Sequence, residues 1–255
     1  MKVESSTPNT AFTKYQEQGA YHYRHTVGAR SISDVNPRLT ARYVNSVNLI
    51  DPRPGERVLD AGSGEGVAAL LCARRGATAI ALEQDEEACR LGQEIRVKEG
   101  IPAEAFKHCQ GDLYSLPFAD EHFDAVISLE VIEHMNDVRA YLRELKRVLK
   151  RGGRIVVSTP LRRPDGQLQD PYHVIEFDAD TLGRALAEEF AGVQVLSAWS
   201  GGVNRWYESD RPFKLWGQIR RYLVRLRTRL GSNPFSKPCQ FDPGCALLLA
   251  LAKRA

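Results

Sequence analysis

The chain has 255 residues, 43% hydrophobic and 26% charged, with a formal net charge of +3. This usage is ordinary for a globular protein and excludes a largely disordered or collagen-like chain. The longest apolar run, Cys245–Ala252, has eight residues, far short of a membrane span. Residues 1–18 are polar without a clear period and read as a mobile leader. Residues 19–34 are aromatic-rich and irregular. Asn36-Pro37 opens a helical pattern with Leu39, Tyr43, Val44, Val47, Leu49 and Ile50 on one side, and proline suits a first helical turn. From residue 56 strands and helices alternate. Arg57–Ala61 is a short strand closed by glycines, and Glu65–Arg75 is a helix ended by Gly76. Ala77–Leu82 is a strand ending in Glu83, and Asp85–Lys98 is helical. Phe106–Gln110 and Phe123–Ser128 are strands, and Asp137–Leu149 has helical spacing stopped by Gly152-Gly153. Arg154–Thr159 is a strand. Asp178 is placed to cap a helix, with Phe177 and Leu182 as its hydrophobic staple. Val193–Ala198 and Ala246–Ala252 close the series as strands.

Strands separated by helices of this length form βαβ units and a parallel sheet with helices on both faces. The expected organisation is an N-terminal leader and cap helix over residues 1–50, then one domain over 51–255. That domain carries a basic amphipathic insertion at about 203–242. Residues 205–230 alone carry +6, leaving −3 for the remainder, so one local segment makes the protein basic. Trp216, Ile219, Leu223, Leu226 and Leu230 form an apolar seam between its arginines. Three uses stand open: docking on the domain or a partner subunit, lying on an anionic membrane surface, or meeting an acidic substrate.

The run Val58-Leu59-Asp60-Ala61-Gly62-Ser63-Gly64-Glu65-Gly66 sits where a strand turns into a helix. Glycine is needed there because the backbone turns sharply and a ligand must come close. Amides at the helix N-terminus face that ligand. Glu83 ends the second strand, the place for a carboxylate that grips ribose hydroxyls, and Asp112 ends the third. Val67 stands where the dinucleotide fingerprint has its third glycine, so an adenosine ligand without pyrophosphate fits better.

These motifs resemble the class I S-adenosylmethionine (SAM)-dependent methyltransferases. Val58–Gly66 resembles the first motif, Glu83 the acid after the second strand, and Gly111-Asp112-Leu113 the adenine loop. Phe123–Ser128 with Glu130-Val131-Ile132-Glu133-His134 resembles the fourth motif, and Arg147–Gly153 with Ser158-Thr159-Pro160 the fifth. The nearest flavour is the small-molecule subgroup with quinone-pathway, glycan and natural-product O-methyltransferases. The resemblance implies an α/β, Rossmann-like, seven-stranded sheet of order 3-2-1-4-5-7-6, its last strand antiparallel. It implies that Asp60 orients the loop and that Gly62, Ser63, Gly64 and Gly66 hold the methionine part of SAM. Glu83 would hold the ribose, Gln84, Asp112 and Leu113 the adenine, and Ser128 and Leu129 the wall near the sulfonium. S-adenosyl-L-homocysteine is the implied product. Ser128-Leu129-Glu130-Val131 lacks the Asn/Asp-Pro-Pro-Tyr/Phe signature of base methylation, so nucleic acid is not an expected partner.

A hydroxyl acceptor must lose its proton, and histidine is a natural general base. His173, in Pro171-Tyr172-His173, is the first candidate, with a backbone-bonding role as the alternative; His134 is the second. Tyr21, His22 and Tyr172 are candidates for acceptor contact, with packing as the alternative for the leader residues. His25, His108 and His122 read as surface residues. No metal cluster stands out, so neither a metal nor catechol-type metal assistance is expected. The five scattered cysteines and an N-terminus without an apolar h-region point to a cytoplasmic protein, a monomer or homodimer, membrane-peripheral if the basic segment lies on lipid. Two other readings stand open: an NAD(P)-dependent oxidoreductase and a non-catalytic SAM-binding scaffold.

Overall fold

The computed structural model describes residues 14–255. The leader expectation for residues 1–13 lies outside the described residues. Two short helical segments, α1 (Lys14–Gln18) and α2 (Tyr21–Arg24), precede α3 (Pro37–Ile50), whose first turn is capped by the Asn36 side chain accepting from the Leu39 amide. There follow β1 (Arg57–Ala61), α4 (Val67–Ala73), β2 (Thr78–Glu83), α5 (Glu86–Lys98), β3 (Phe106–Gln110) and β4 (Phe123–Leu129). Then come α6 (Val138–Val148), β5 (Leu149–Pro160), α7 (Ala179–Ala187) and β6 (Ala191–Ser197). Two insertion helices, α8 (Gly201–Glu208) and α9 (Lys214–Arg229), lead to β7 (Cys239–Gln240) and β8 (Leu247–Lys253).

The sheet runs β3-β2-β1-β4-β5-β8-β6-β7. It is parallel from β3 to β5, and β8 is antiparallel to both β5 and β6. This is the expected order with one addition: the two-residue β7 pairs with β6 at the edge and makes the terminal strand the eighth. Alternation along each strand feeds two cores. Leu59, Val126, Ile155 and Val157 join Tyr141, Leu142 and Leu145 on one face. Val58, Ala125, Ile127 and Val156 join Val47, Ile50 and Leu70 on the other. So α3 is not only a cover; it closes one face of the sheet. Leu149, expected at the end of a helix, is the first residue of β5, because the pairing shifts register at Gly152-Gly153 and lets the strand start early. Asp178 caps α7 in a reciprocal capping box with Thr181, and Phe177 and Leu182 are both buried beside it.

The insertion departs from the simplest reading of its pattern. α9 meets the body through Gly217, Val224 and Thr228, its small buried face. The seam points the other way: Trp216 is 50% exposed, Leu223 49% and Leu230 74%. Docking of the seam on the chain's own domain is therefore corrected. Small residues let α9 approach closely, so the bulky side chains end up outside. None of the helices among the described residues is long and apolar enough to cross a membrane.

Candidate active site

The glycine loop joins β1 to α4. Gly62, Gly64 and Gly66 all have left-handed backbone, at φ +72°, +54° and +77°. A Cβ on Gly62 would lie 2.6 Å from Val131 Cγ2, and one on Gly66 2.7 Å from the His108 ring. The Gly62 and Ser63 amides both donate to the Leu82 carbonyl, at 2.9 and 3.0 Å, which ties the loop to β2. Glu83, at the end of β2, accepts from the Gly64 amide at 2.8 Å and from the amides of Gln84 and Asp85. The loop is thus a backbone cradle with a carboxylate against it. The glycines let neighbouring side chains approach the backbone closely, at a strand-to-helix turn of the kind whose amides face an adenosine-bearing ligand.

Two acids of this loop titrate in opposite directions. Asp60 is buried and accepts one bond, from the Ala69 amide at 2.9 Å in the first turn of α4. Burial outweighs that bond and pushes its acid up to about 8. Glu65 is also buried, but it accepts from His22 Nδ1 and from the Tyr23 amide, both at 3.0 Å. Burial works against it too, yet these partners hold it down to about 2. The leader is therefore pinned on the loop. Tyr15 is buried with its hydroxyl over Gly64. Glu65 and Tyr15 were not singled out by sequence reasoning. Glu65 lies inside the motif, but only the fold shows that its partner comes from residue 22.

On the adenine side Asp112 accepts from the Tyr114 amide at 2.9 Å, which fixes a tight turn after β3. Leu113 packs on the core and Gln84 is exposed. His108 is not the surface residue expected. Its two ring nitrogens are buried without partners, and burial lowers it to about 4. The glycines at 66 and 92 leave the room it fills.

The acceptor side forms at the ends of β4 and β5. Ser128 and Leu129 are buried in the sheet, and the Ser128 hydroxyl donates to the Ala61 carbonyl while accepting from Tyr141. It therefore cannot also offer that hydroxyl to a ligand. Glu130 follows with left-handed backbone, φ +57°. Such a conformation costs about 1–3 kcal/mol in a non-glycine residue and persists only when neighbours impose it. Ser158 donates to its carboxylate at 2.8 Å, and Arg42 of α3 reaches it at 3.3 Å. Three residues on, Glu133 is fully buried with both carboxylate oxygens unpartnered. Burial, with Glu130 near, pushes its acid well up, against the pull of Thr159 and Arg42.

The Glu133 carbonyl accepts from the amides of Val174 and Ile175, so the loop after β5 is sewn to the segment after β4. This brings His173 beside His134, ring centroids 5.1 Å apart. His173 Nδ1 lies 2.7 Å from Glu176, and His134 Nδ1 lies 2.9 Å from the Tyr172 carbonyl. Tyr172 itself is half-exposed. Ligand atoms of Glu133, His134 and His173 all lie within 4.8 Å of one another. This grouping does not stand out in the sequence, because residues 39 positions apart meet only where the loop after β5 folds back. Glu133, Glu176 and Arg42 were missed in these roles. The signal for the first was present, an acid and a histidine closing the Glu-x-x-Glu-His run.

Residues 59–157 match the methyltransferase domain family. Over 179 residues the chain is 31% identical to a ubiquinone biosynthesis O-methyltransferase of Pseudomonas syringae pv. tomato, covering 67% of this chain and 72% of that protein. Over 126 residues it is 36% identical to a demethylmenaquinone methyltransferase of Corynebacterium efficiens, covering 48% and 51%. The SAM complex of phosphoethanolamine N-methyltransferase 2 from Haemonchus contortus superposes with TM-score 0.64 at 16% identity, covering 95% of this chain and 58% of that one, a likeness of fold. The chain spans about half to three-fifths of the length of several other curated relatives it matches. Fold and cradle together define a Rossmann-like methyltransferase domain. The chain belongs to the class I SAM-dependent methyltransferases, and SAM is its cofactor. The oxidoreductase alternative is set aside by these matches.

Proposed function

We propose that this enzyme methylates a hydroxyl oxygen of a small, apolar, quinone-related acceptor. The supporting observation is the His173–Glu176 pair beside His134, on a segment that Val131 packs directly against Gly62 of the cofactor cradle. The names of the relatives, quinone-pathway methyltransferases, favour that acceptor class. SAM supplies a methyl group made electrophilic by its sulfonium. Asp60, Gly62, Ser63, Gly64 and Gly66 would hold its methionine part, Glu83 the ribose, and Gln84, Asp112 and Leu113 the adenine. The Leu129 backbone would line the methyl end. The chain's remaining task is to align the oxygen and remove its proton; alignment alone supplies several kcal/mol. With Nδ1 held by Glu176, His173 presents Nε2 as the base, and the carboxylate steadies the imidazolium that results. Tyr21 and Tyr172 would contact the acceptor, whereas His22 closes the leader through Glu65.

The test pairs calorimetry with turnover. SAM should bind with micromolar affinity while NADH does not, and a panel of hydroxylated quinone precursors should be methylated. SAM binding with no methylated acceptor would favour a non-catalytic scaffold. Methylation confined to amines or carbon would overturn the oxygen assignment.

The acceptor class also accounts for α9. Its outward face is apolar, its flanks carry Lys214, Arg220, Arg221, Arg225, Arg227 and Arg229, and the helix has no acid. Two copies meeting symmetrically through this face would oppose six basic residues to six. An anionic lipid surface suits both parts, the apolar face and the charge. Arg38 of α3 pairs with Glu208 of α8, and Arg42 one turn on reaches Glu130, so the insertion sits beside the acceptor side. Sedimentation with phosphatidylglycerol vesicles should capture the protein, and phosphatidylcholine vesicles should not. Equal recovery of W216S/L223S with the anionic vesicles would sink the assignment.

A further inference from the structure

A free base does not account for Glu133. The mechanism above uses His173 and Glu176, yet a fully buried carboxyl group lies against the same two imidazoles with neither oxygen in a well-formed hydrogen bond, the Thr159 hydroxyl and Arg42 being its nearby polar groups. A buried polar group left in this state is costly and calls for a partner. The two rings are prepared in the same sense. His173 has its Nδ1 on the Glu176 carboxylate, and His134 has its Nδ1 on the Tyr172 carbonyl. Each ring therefore keeps its proton on Nδ1 and leaves the Nε2 lone pair available. A carboxylate or carbonyl behind Nδ1 is the usual support of a metal-bound histidine, fixing tautomer and ring orientation. Glu176 is fixed in turn, accepting from the Gln169 amide at 2.6 Å. Glu130, the other acid nearby, is already engaged by Ser158 and Arg42.

We propose that Glu133, His134 and His173 bind a first-row divalent cation of the zinc or cobalt type. Two imidazoles and one carboxylate suit such an ion better than Mg2+, which demands oxygen ligands. Three protein ligands leave coordination positions open, as in catalytic rather than structural sites. The inference rests on the methyltransferase reading and narrows it: with the cation bound, His173 is a ligand and the cation lowers the acceptor's pKa. The acceptor O–H bond then breaks with its electron pair on oxygen and the proton passing to solvent. Oxygen forms the new bond to the methyl carbon, and the S–C pair stays on sulfur as S-adenosylhomocysteine.

The experiment uses the full chain, stripped with chelator and titrated with Co2+ and Zn2+. One cation per chain is expected, Co2+ giving the visible absorption of a low-symmetry nitrogen and oxygen site. E133Q, H134A and H173A should each lower Zn2+ affinity about 100-fold or more, and E176Q, behind the ligand, about 10–100-fold. SAM affinity, measured on the same samples, should stay unchanged and certifies that each variant is folded. No binding, binding by Mg2+ alone, or Co2+ spectra unchanged in E133Q and H173A would overturn the proposal. Turnover by chelated protein that is lost in H173A would also overturn it while leaving the base reading intact. Absence of SAM binding would instead defeat the underlying methyltransferase reading.

Discussion

In the cofactor half, Asp60, Glu65 and Glu83 each accept from at least one backbone amide, of Ala69 in α4, of Tyr23 in the leader and of Gly64 in the turn. In the acceptor half, Glu133 is buried with no donor, and its neighbours His134 and His173 come from different crossovers. The first half is built mainly from backbone amides at the turn, and the leader completes it through His22 and the Tyr23 amide on Glu65. The second is assembled from side chains brought together by loops, and it keeps an unfilled demand for charge. This is the division expected where a common cofactor meets a particular acceptor: a rigid backbone cradle on one side, adaptable side chains on the other.

The sharpest way to break the contrast is at Gly62. Gly62→Val forces a branched residue into left-handed backbone and against Val131. It should cost about 3–5 kcal/mol in stability and abolish SAM binding, read by urea unfolding and calorimetry. A folded variant with normal SAM affinity would show that the cradle is not backbone-limited. On the other side His173→Ala should lower kcat by about 10²–10⁴-fold with SAM affinity intact. A matching loss of SAM affinity would mean that the two halves are not separable.

The opposite shifts of Asp60 and Glu65 make a pH test inside the cofactor half. Glu65 is held low, so its contribution is complete above its unfolded pKa near 4.5 and is lost as pH falls toward about 2. Asp60 is raised, so stability is fullest below its unfolded pKa near 3.8 and declines as pH rises through about 8. Each term is on the order of a few kcal/mol. Thermal unfolding between pH 2.5 and about 9 should therefore lose its acid limb in Glu65→Gln and lose its decline between the unfolded pKa of Asp60 and about 8 in Asp60→Asn. Unchanged profiles in both variants would contradict the burial argument.

Smaller effects come next. Glu83→Ala removes the carboxylate from the Gly64 amide and should weaken SAM binding by about 2 kcal/mol, while Asp112→Ala weakens it less. Equal binding by both variants would displace the adenosine assignment. Asp178→Ala, two residues past Glu176, loses a helix cap and should cost about 1 kcal/mol in stability, read by urea unfolding.

Most elements were legible because their signals are local. The Asn36, Asp85, Asp137 and Asp178 caps all accept from the amide three residues on, as short polar side chains do before a helix. The alternation of βαβ units led to a parallel sheet with helices on both faces, and the family resemblance led to its order, apart from the two-residue edge strand. Within the site, Asp60, the glycines, Glu83 and Asp112 announced themselves because backbone turns restrict residue type. His173 was visible as chemistry without a partner. Its Glu176 was three residues away, but nothing in the spacing indicates that both side chains face inward.

The sequence by itself determined the strand and helix series, the glycine turn and the acids at three strand ends, since each follows from periodicity or from a dihedral that few residues tolerate. Tertiary structure alone decided the rest. It set His22 on Glu65, His173 beside His134, and a carboxylate without a donor between them. It also turned the apolar face of α9 outward, because close packing chose the small face of that helix. Those outcomes depend on distances between residues far apart in the chain, and hydrophobic pattern carries no information about them.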